Sequence, residues 1–169
     1  MTTTAAATLA EVEMLRHQTK MTNMVFQANT NGLTQEESLI QPHPGGNCLN
    51  WVVGHLVCIY NNILPLLGQE QVRNDLQRYD RGTPPIQDPA EAKDFGELMA
   101  AWNETVQRFD AGLANLTPEV LDRESPIGPE PGRTETVRSL LSIICFHQAY
   151  HAGQTGVLRR LAGKEGAIR

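Results

Sequence analysis

The chain has 169 residues, with 14 lysines and arginines against 19 aspartates and glutamates and a formal net charge of −5. A chain of this length buries about 70% of its unfolded surface, so we expect a single domain, residues 1–169, that folds without disulfides or a structural metal. The acidic balance argues against nucleic acid as a partner, because that surface needs clustered basic side chains. Aromatic residues make up only 5% of the chain, which predicts an aliphatic core and favours helices.

The sequence also argues against a membrane-bound or exported protein. The longest largely apolar run, Trp51 to Tyr60, is about half the length of a membrane-spanning helix and contains a histidine. The N-terminal segment carries Glu11 and Glu13 but no basic region, so no secretory signal is predicted. The three cysteines have no C-x-x-C spacing and lie at Cys48, Cys58 and Cys145. We therefore expect reduced thiols and a cytoplasmic protein.

Four long segments have apolar residues at the helical period, and almost none of the chain alternates as a β-strand does. The sequence therefore predicts an all-α fold, a four-helix bundle. The first helix is predicted from about Ala7 to Asn29, and Asn31-Gly32 ends it. Thr34 and Glu37 then have the spacing of a capping box, which predicts one further helical turn near Leu39.

The second helix is predicted from its N-cap, Asn47, to about Leu67, with Pro65 loosening the last turn and Gly68 just past the end. The stretch from Gln69 to Lys93 is long and polar for a connection inside one domain. An extended connection of that length can return the chain to the end where the helix began. Helices two and three are therefore expected to run parallel, joined by a long crossover.

The third helix is predicted to begin at Asp94, with Glu97 as its capping partner, or earlier at Asp88-Pro89, and to close at Thr117-Pro118. The fourth helix is predicted from its N-cap, Thr134, to about Leu161. The apolar positions expected to bury the third helix are Phe95, Leu98, Trp102, Val106, Phe109 and Leu113.

Three histidines occupy inward positions of these helices. His147 and His151 are four residues apart on the fourth helix, which puts both side chains on one face, about 6 Å apart along the axis. His55 lies among core positions of the second helix, one turn after Trp51. A single buried histidine is more often a hydrogen-bonded core residue than a ligand, but three on two helices are better explained by one shared metal ion. Three protein ligands leave coordination positions open to water or substrate, which is typical of catalytic sites.

Two neighbouring side chains are candidates for supporting roles. Gln154, two turns after His147, is expected either to hydrogen-bond metal-bound water or to orient His151. Cys58, one turn past His55, is a candidate fourth ligand, although a free cysteine is commonly a buried core residue.

The remaining aromatic and histidine candidates have simpler interpretations. Trp51 and Trp102 are interpreted as packing residues that can also line the pocket. His17 lies in a polar part of the first helix and His43 in a Pro/Gly-rich loop, so both are expected to be solvated.

The sequence lacks the glutamates that two well-known classes of metalloprotein require beside their histidines. A zinc protease of the H-E-x-x-H type has a glutamate directly after its first histidine, where this chain has Gln148. Di-iron bundles need several inward glutamates with Glu-x-x-His motifs, and the two histidine-bearing helices offer none. The pattern therefore argues against peptide hydrolysis and against dioxygen chemistry of that kind.

The motif Asn47-x-x-x-Trp51-x-x-Gly54-His55-Leu56, followed downstream by His147-x-x-x-His151-x-Gly153-Gln154, resembles the DinB/YfiT family. The resemblance spans nearly the whole chain, including the long second connection. It implies a four-helix bundle of up-down-down-up topology, a divalent metal held by the histidines matching His55, His147 and His151, and frequently a homodimer. Members of the family transfer low-molecular-weight thiols or isomerise substrates with such a thiol as cofactor, while many have no assigned reaction.

Together these features predict a metal-dependent enzyme that activates a small thiol for attack on a small-molecule substrate, as a thiol S-transferase does. The choice of a thiol rests on the resemblance alone. Imidazole ligands suit zinc, nickel, iron and copper alike, and we expect a divalent zinc, nickel or iron ion. The alternatives are a non-catalytic, dimeric metal-binding protein and a metal-dependent hydrolase that uses bound hydroxide.

Overall fold

The computed structural model describes residues 3–128 and 132–168, and their regular elements are helical. Within these ranges there is no β-strand, only an isolated antiparallel bridge between Glu124 and Thr136. No helix there is both long and apolar enough to cross a membrane. The all-α prediction is confirmed. The helices are α1 (Thr3–Thr30), α2 (Gln35–Ser38), α3 (Leu49–Ile63), α4 (Phe95–Ala114), α5 (Pro118–Leu121) and α6 (Val137–Leu161).

The core lies between the four long helices and is mainly aliphatic, as the composition predicts. Its largest fully buried side chain is Trp102 on α4, with ring centroids 5.1 Å from Phe26 on α1 and 5.2 Å from Tyr60 on α3. The indole Nε1–H of Trp102 donates to Asn23 Oδ1 at 2.9 Å, so the buried ring keeps a hydrogen-bond partner. Trp102 is thus a packing residue that joins three helices.

The predicted turn after α1 and the loosened end of α3 are both found, but the start of α3 differs. Thr34 and Glu37 form the capping box of α2. The last turn of the second helix, Leu64–Leu67, is a 3₁₀ turn, because a proline at position 65 cannot donate an α-helical hydrogen bond. The prediction that Asn47 is the N-cap is wrong. The first helical bond runs from Val52 N–H to the carbonyl of Cys48 at 3.1 Å, so Cys48 is the cap.

Helix α4 begins where the first of the two predictions placed it. The Asp94 carboxylate accepts the Glu97 N–H at 2.9 Å, whereas the alternative start at Asp88-Pro89 belongs to a separate 3₁₀ turn, Pro89–Glu91. The helix ends at Ala114, before the predicted Thr117-Pro118, and Thr117 instead caps the short helix α5.

Helix α6 begins two residues later than predicted. Its N-cap is Thr136, which forms a capping box with Ser139, and the prediction of Thr134 is wrong. The backbone just before the helix is held extended, because Ser125 N–H donates to Glu135 O at 2.7 Å and Val137 N–H donates to Arg123 O at 2.9 Å. These long-range hydrogen bonds have no local sequence signal, so the sequence misplaces the start of the helix.

The long connection between α3 and α4 is folded back onto α3. Its Tyr79 is completely buried against Gly54, where a Cβ atom would lie 2.2 Å from Tyr79 Cδ1. The Tyr79 hydroxyl donates to Asn50 Oδ1 at 2.8 Å and accepts the Lys93 N–H at 2.7 Å. Further back along the connection, Asn61 Oδ1 accepts the N–H of residue 72 at 2.6 Å. A connection that looks polar and loose in the sequence is therefore fixed to the helix that carries His55.

Candidate metal centre

The fold brings the three predicted histidines together. His147 Nε2 lies 3.1 Å from His55 Nε2 and 3.0 Å from His151 Nε2, with His55 supplied by α3 and the other two by successive turns of α6. Among the described residues, these three form the group of histidine, cysteine and carboxylate side chains whose donor atoms could hold one ion. The group has the make-up expected of a divalent metal site.

Two of the rings are oriented by oxygen atoms behind them. His55 Nδ1–H donates to the backbone carbonyl of Tyr79 at 2.8 Å, and His151 Nδ1–H donates to Gln154 Oε1 at 2.8 Å. A carbonyl oxygen only accepts, so in a neutral imidazole the proton stays on Nδ1 and Nε2 presents its lone pair. This is the arrangement in which histidine binds a metal through Nε2.

Burial keeps all three imidazoles uncharged at neutral pH. Burial is the main cause of the lowered pKa of His55, and it is also the main cause that lowers the pKa of His151, to about 4. Burial also lowers the pKa of His147 to about 3, helped by repulsion from the other two rings. Metal ligation requires the neutral form of histidine, so the environment favours ligation over protonation.

The imidazole nitrogen atoms of the three histidines have more lone pairs than the described residues supply hydrogen-bond donors for. The lone pairs of His55 and His151 both face His147 Nε2, which can carry only one proton and so can bond only one of them. His147 Nδ1 is buried with no hydrogen-bond partner among the described residues. A divalent ion accepts all three lone pairs at once, and tetrahedral ligands about 2.0–2.1 Å from zinc lie about 3.3 Å apart, close to the spacing seen here. The donor set therefore fits a divalent metal.

Trp51 lines one side of the group. Its ring stacks on His55 with centroids 4.6 Å apart and planes 12° apart, and its Nε1–H donates to Thr83 Oγ1 at 3.1 Å. Sequence reasoning missed Thr83 and Tyr79 because both lie in the polar connection between α3 and α4. Tyr79 is the only aromatic residue between Gln69 and Lys93, and that was the signal in the sequence that could have identified it.

The structure also shows where the other candidate residues from the sequence lie relative to the three histidines. Gln154 contacts His151 through the hydrogen bond described above. Cys58 does not belong to the metal-binding group, and its pKa is raised to about 11, first by burial and then by the charge of Asp80. His17 and His43 are exposed, as expected.

The group reaches solvent through one member. The side chains of His55 and His151 are 4% and 6% exposed, whereas His147 is partly exposed. Tyr150, which is 57% exposed, lies edge-on against His151 with ring centroids 5.2 Å apart. Two surface cavities of about 680 and 500 Å³ lie elsewhere, one beside the end of α1 at Gly32 and one between α1 and α4.

Comparison with known proteins gives three findings. A family model described as the DinB superfamily matches residues 18–155. The crystal structure of the conserved protein of locus from Enterococcus faecalis is similar with a TM-score of 0.69 and 17% sequence identity, and the match covers 90% of this chain and 97% of that chain. At that identity the likeness shows a shared fold. No curated protein matches the chain.

Proposed function

The chain belongs to the DinB superfamily, and on that premise we propose that it is a metal-dependent enzyme that activates a small thiol for transfer to a small electrophile. His55, His147 and His151 hold one divalent ion in this proposal. The observation that supports it best is the convergence of three neutral Nε2 atoms with spacings of 3.0 and 3.1 Å between neighbours. Among the described residues, no carboxylate or cysteine completes the set.

A divalent ion held by neutral imidazoles lowers the pKa of a thiol or water bound beside it. The histidines contribute no negative charge, so the site favours an anionic partner such as a thiolate. Trp51 packs against His55 and excludes water from that side. Tyr79 and Gln154 keep the protons of two rings on Nδ1, which leaves the Nε2 atoms directed at the shared position.

A thiol is favoured over hydroxide by the family and by the surroundings of His147. Hydrolysis of the H-E-x-x-H type needs a general base at the next residue, which is Gln148 here. Its side chain is 1% exposed and accepts the Tyr60 hydroxyl at 2.8 Å, so it is engaged in the core. No base is supplied from this position.

A non-catalytic metal-binding role is the second candidate. The deep burial of His55 and His151 favours it, since His147 alone of the three histidines is partly exposed. Catalysis requires a position open to substrate, whereas a structural site is closed.

Metal analysis and thiol-transfer assays together test the proposal. We expect one ion per chain in the wild type, and loss of the ion when any of the three histidines is replaced by alanine. The metal-loaded protein should accelerate attack of a small thiol on a soft electrophile, and the metal-free protein should not. Metal-dependent ester hydrolysis without thiol transfer would favour the hydrolase. Stoichiometric metal without activity in either assay would favour the non-catalytic role.

We also propose that the long helices follow the up-down-down-up order implied by the family. Where α1 contacts α6, the residue numbers of the contacting pairs rise together along both helices, so these two helices run parallel. The same holds where α3 contacts α4. Where α1 contacts α4, the numbers rise in opposite directions, so these two helices run antiparallel. The supporting pairs are Glu11–Arg138 and Asn29–Thr155, then Tyr60–Trp102 and Leu67–Gly112, and finally Arg16–Asp110 and Gln27–Asn103. A crystal structure would test this order directly.

The homodimer implied by the family stays a prediction, and α6 supplies its test. Phe146, Tyr150, Val157 and Leu161 are 45–71% exposed and recur at helical spacing along one stripe. A dimer that used this stripe should dissociate in Val157→Asp, which analytical ultracentrifugation measures. A monomeric wild type would contradict the prediction.

A further inference from the structure

The cavity of about 500 Å³ between α1 and α4 lies apart from the candidate metal centre, because none of the three histidines lines it. Its inner wall includes Tyr60, Phe109 and Gln148, each of which is 1% exposed. Exposed side chains at Lys20 and Gln107 line its mouth. Small-molecule sites have volumes of about 300–1,000 Å³, so the cavity is large enough for a small organic ligand.

The inner wall has hydrogen-bonding capacity that the described residues leave unused. The Tyr60 hydroxyl donates its proton to Gln148 Oε1 at 2.8 Å, and burial raises the pKa of Tyr60 well above its ordinary value, so the hydroxyl stays protonated. The Tyr60 oxygen accepts no hydrogen bond from a described residue. Gln148 Nε2 carries two N–H groups, and its acceptor among the described residues is the Thr19 carbonyl, at the long distance of 3.5 Å. A ligand hydroxyl complements both groups, because it can donate to the Tyr60 oxygen and accept from Gln148.

The walls beside this polar pair suit an aromatic ring. Phe109 packs against Tyr60 with ring centroids 4.7 Å apart, so two aromatic side chains meet at the inner end of the cavity. Val106, one turn before Phe109 on α4 and half-buried, adds aliphatic surface. An aromatic ligand gains from contact with these rings as well as from removing its own apolar surface from water.

The lining of the cavity carries positive charge, although the chain as a whole has a net charge of −5. Arg16 and Lys20 are cations and Asp110 is an anion, which leaves one positive charge when the fourth titratable side chain, His17, is neutral. Arg16 donates two hydrogen bonds of 2.7 Å to Asp110, so these two charges balance each other. Lys20 is exposed and forms no ion pair with a described residue. The mouth therefore favours a ligand with an anionic group that reaches Lys20.

We propose that this cavity binds a small phenolic carboxylate. The phenol hydroxyl lies at Tyr60 and Gln148, and the aromatic ring packs against Phe109. The carboxylate pairs with the Lys20 ammonium at the mouth. This class of ligand combines in one rigid molecule the hydroxyl, the ring and the negative charge that the cavity complements. The site uses no metal, so it is independent of the thiol transfer proposed above.

The charge and the hydroxyl are tested with three probes of nearly the same shape. Calorimetric titration gives the affinities of 4-hydroxyphenylacetate, of phenylacetate, which lacks the hydroxyl, and of 4-hydroxyphenylethanol, which lacks the charge. The first should bind about fivefold more tightly than either of the others, the effect of one hydrogen bond or one exposed ion pair. Lys20→Gln should weaken binding of 4-hydroxyphenylacetate about fivefold and leave the alcohol unchanged. Lys164→Gln is the matched control and should change neither, because Lys164 pairs with Glu37 and does not line the cavity.

The position of the ligand is tested by closing the cavity. Val106→Trp fills the space beside Phe109 and should abolish binding of 4-hydroxyphenylacetate, whereas Val106→Ala leaves the cavity open and should retain it. Circular dichroism checks that both variants keep the helical fold, and if Val106→Trp does not fold, the Lys20→Gln comparison decides alone. His147→Ala should bind the probe as the wild type does, because His147 does not line the cavity.

The proposal has clear ways to fail. Absence of binding, or unchanged binding by a folded Val106→Trp protein, would overturn it. Equal losses for the acid and the alcohol in Lys20→Gln would overturn the role of the carboxylate, and equal affinities for 4-hydroxyphenylacetate and phenylacetate would overturn the phenolic class. Loss of binding in His147→Ala but not in Val106→Trp would place the probe at the histidines instead. Metal content and thiol transfer are measured separately, so failure of the proposed function leaves this inference standing.

Discussion

Two polar groups are buried side by side between α3 and α6, and their hydrogen bonds are satisfied in different ways. In one, the Tyr60 hydroxyl donates to Gln148 Oε1 at 2.8 Å, and Gln148 Nε2 contacts the carbonyl of Thr19 at 3.5 Å. In the other, His147 and the two histidines beside it direct their Nε2 atoms at one another. Gln148 directly follows His147, so the two groups occupy neighbouring faces of the same turn of α6.

The difference separates a structural polar pair from a ligand site. The Tyr60–Gln148 pair matches a donor with an acceptor inside the chain, which is how buried polar groups normally avoid the cost of lost hydration. The histidine group has lone pairs without enough protons to match them, and His147 Nδ1 has no described partner. Tyr60, Gln148, His55 and His151 are all buried, so the pattern of donors and acceptors, rather than the burial of these side chains, indicates where a ligand belongs.

The largest expected effect comes from His147→Ala. Loss of the central ligand leaves two imidazoles, and affinity for a divalent ion should fall by more than about 100-fold, beyond the loss from changing a residue behind a ligand. Elemental analysis and competition with a chelator measure it. Tyr60→Phe is the matched control on the neighbouring group and should keep one ion per chain. Unchanged stoichiometric binding by His147→Ala would refute the shared site.

A smaller loss is expected from Gln154→Ala, which removes the acceptor behind His151. Without that hydrogen bond the ring loses its fixed orientation, and metal affinity should fall about 10–100-fold. Gln154→Glu keeps an acceptor and should retain affinity near that of the wild type. Unchanged affinity combined with a lower reaction rate would instead assign Gln154 to a hydrogen bond with metal-bound water, its other predicted role.

Tyr60→Phe should affect stability and leave the metal in place. Removal of the hydroxyl leaves Gln148 Oε1 buried without its donor, which should lower the free energy of unfolding by about 1–2 kcal/mol in a denaturant titration. The double variant Tyr60→Phe, Gln148→Leu removes both partners and should recover part of that loss. A loss of metal affinity in Tyr60→Phe would show that the two buried groups are coupled and not independent.

The smallest effect is expected at the rim of the cavity that Tyr60 and Gln148 help to line. There Arg16 donates two hydrogen bonds of 2.7 Å to Asp110, which lowers the pKa of the carboxyl. A lowered folded-state pKa means that the stabilisation is present above the ordinary value of 3.8 and is lost as the pH falls through the folded value below it. Both side chains are more than a third exposed, so solvent screens the pair. Urea unfolding of wild type and Asp110→Asn should differ slightly at pH 6, and the difference should shrink as the pH falls below 3.8. A difference that grows on acidification would contradict this assignment.

The helices and the histidine positions could be predicted from the sequence because both follow from periodicity. Apolar residues at helical spacing identify the four long helices, and the same spacing puts His147 and His151 on one face. Helix starts were less predictable. The cap at Thr136 depends on backbone hydrogen bonds to Arg123 and Ser125, which precede the helix by more than ten residues and leave no local signal at the cap. The metal-binding role of the histidines stays a prediction.

The sequence by itself determined the helical class and the donor residues, since residue type and spacing are written directly in it. Only the tertiary structure decided how the candidate metal-binding side chains are oriented. His55 is oriented by the backbone carbonyl of Tyr79, and every residue has such a carbonyl, so no residue type marks it. The Tyr79 ring reaches that place because Gly54 leaves room for it, a fit that depends on two segments 25 positions apart in the chain. Contacts of this kind arise from packing between segments that are far apart in the chain, so the local sequence pattern does not predict them.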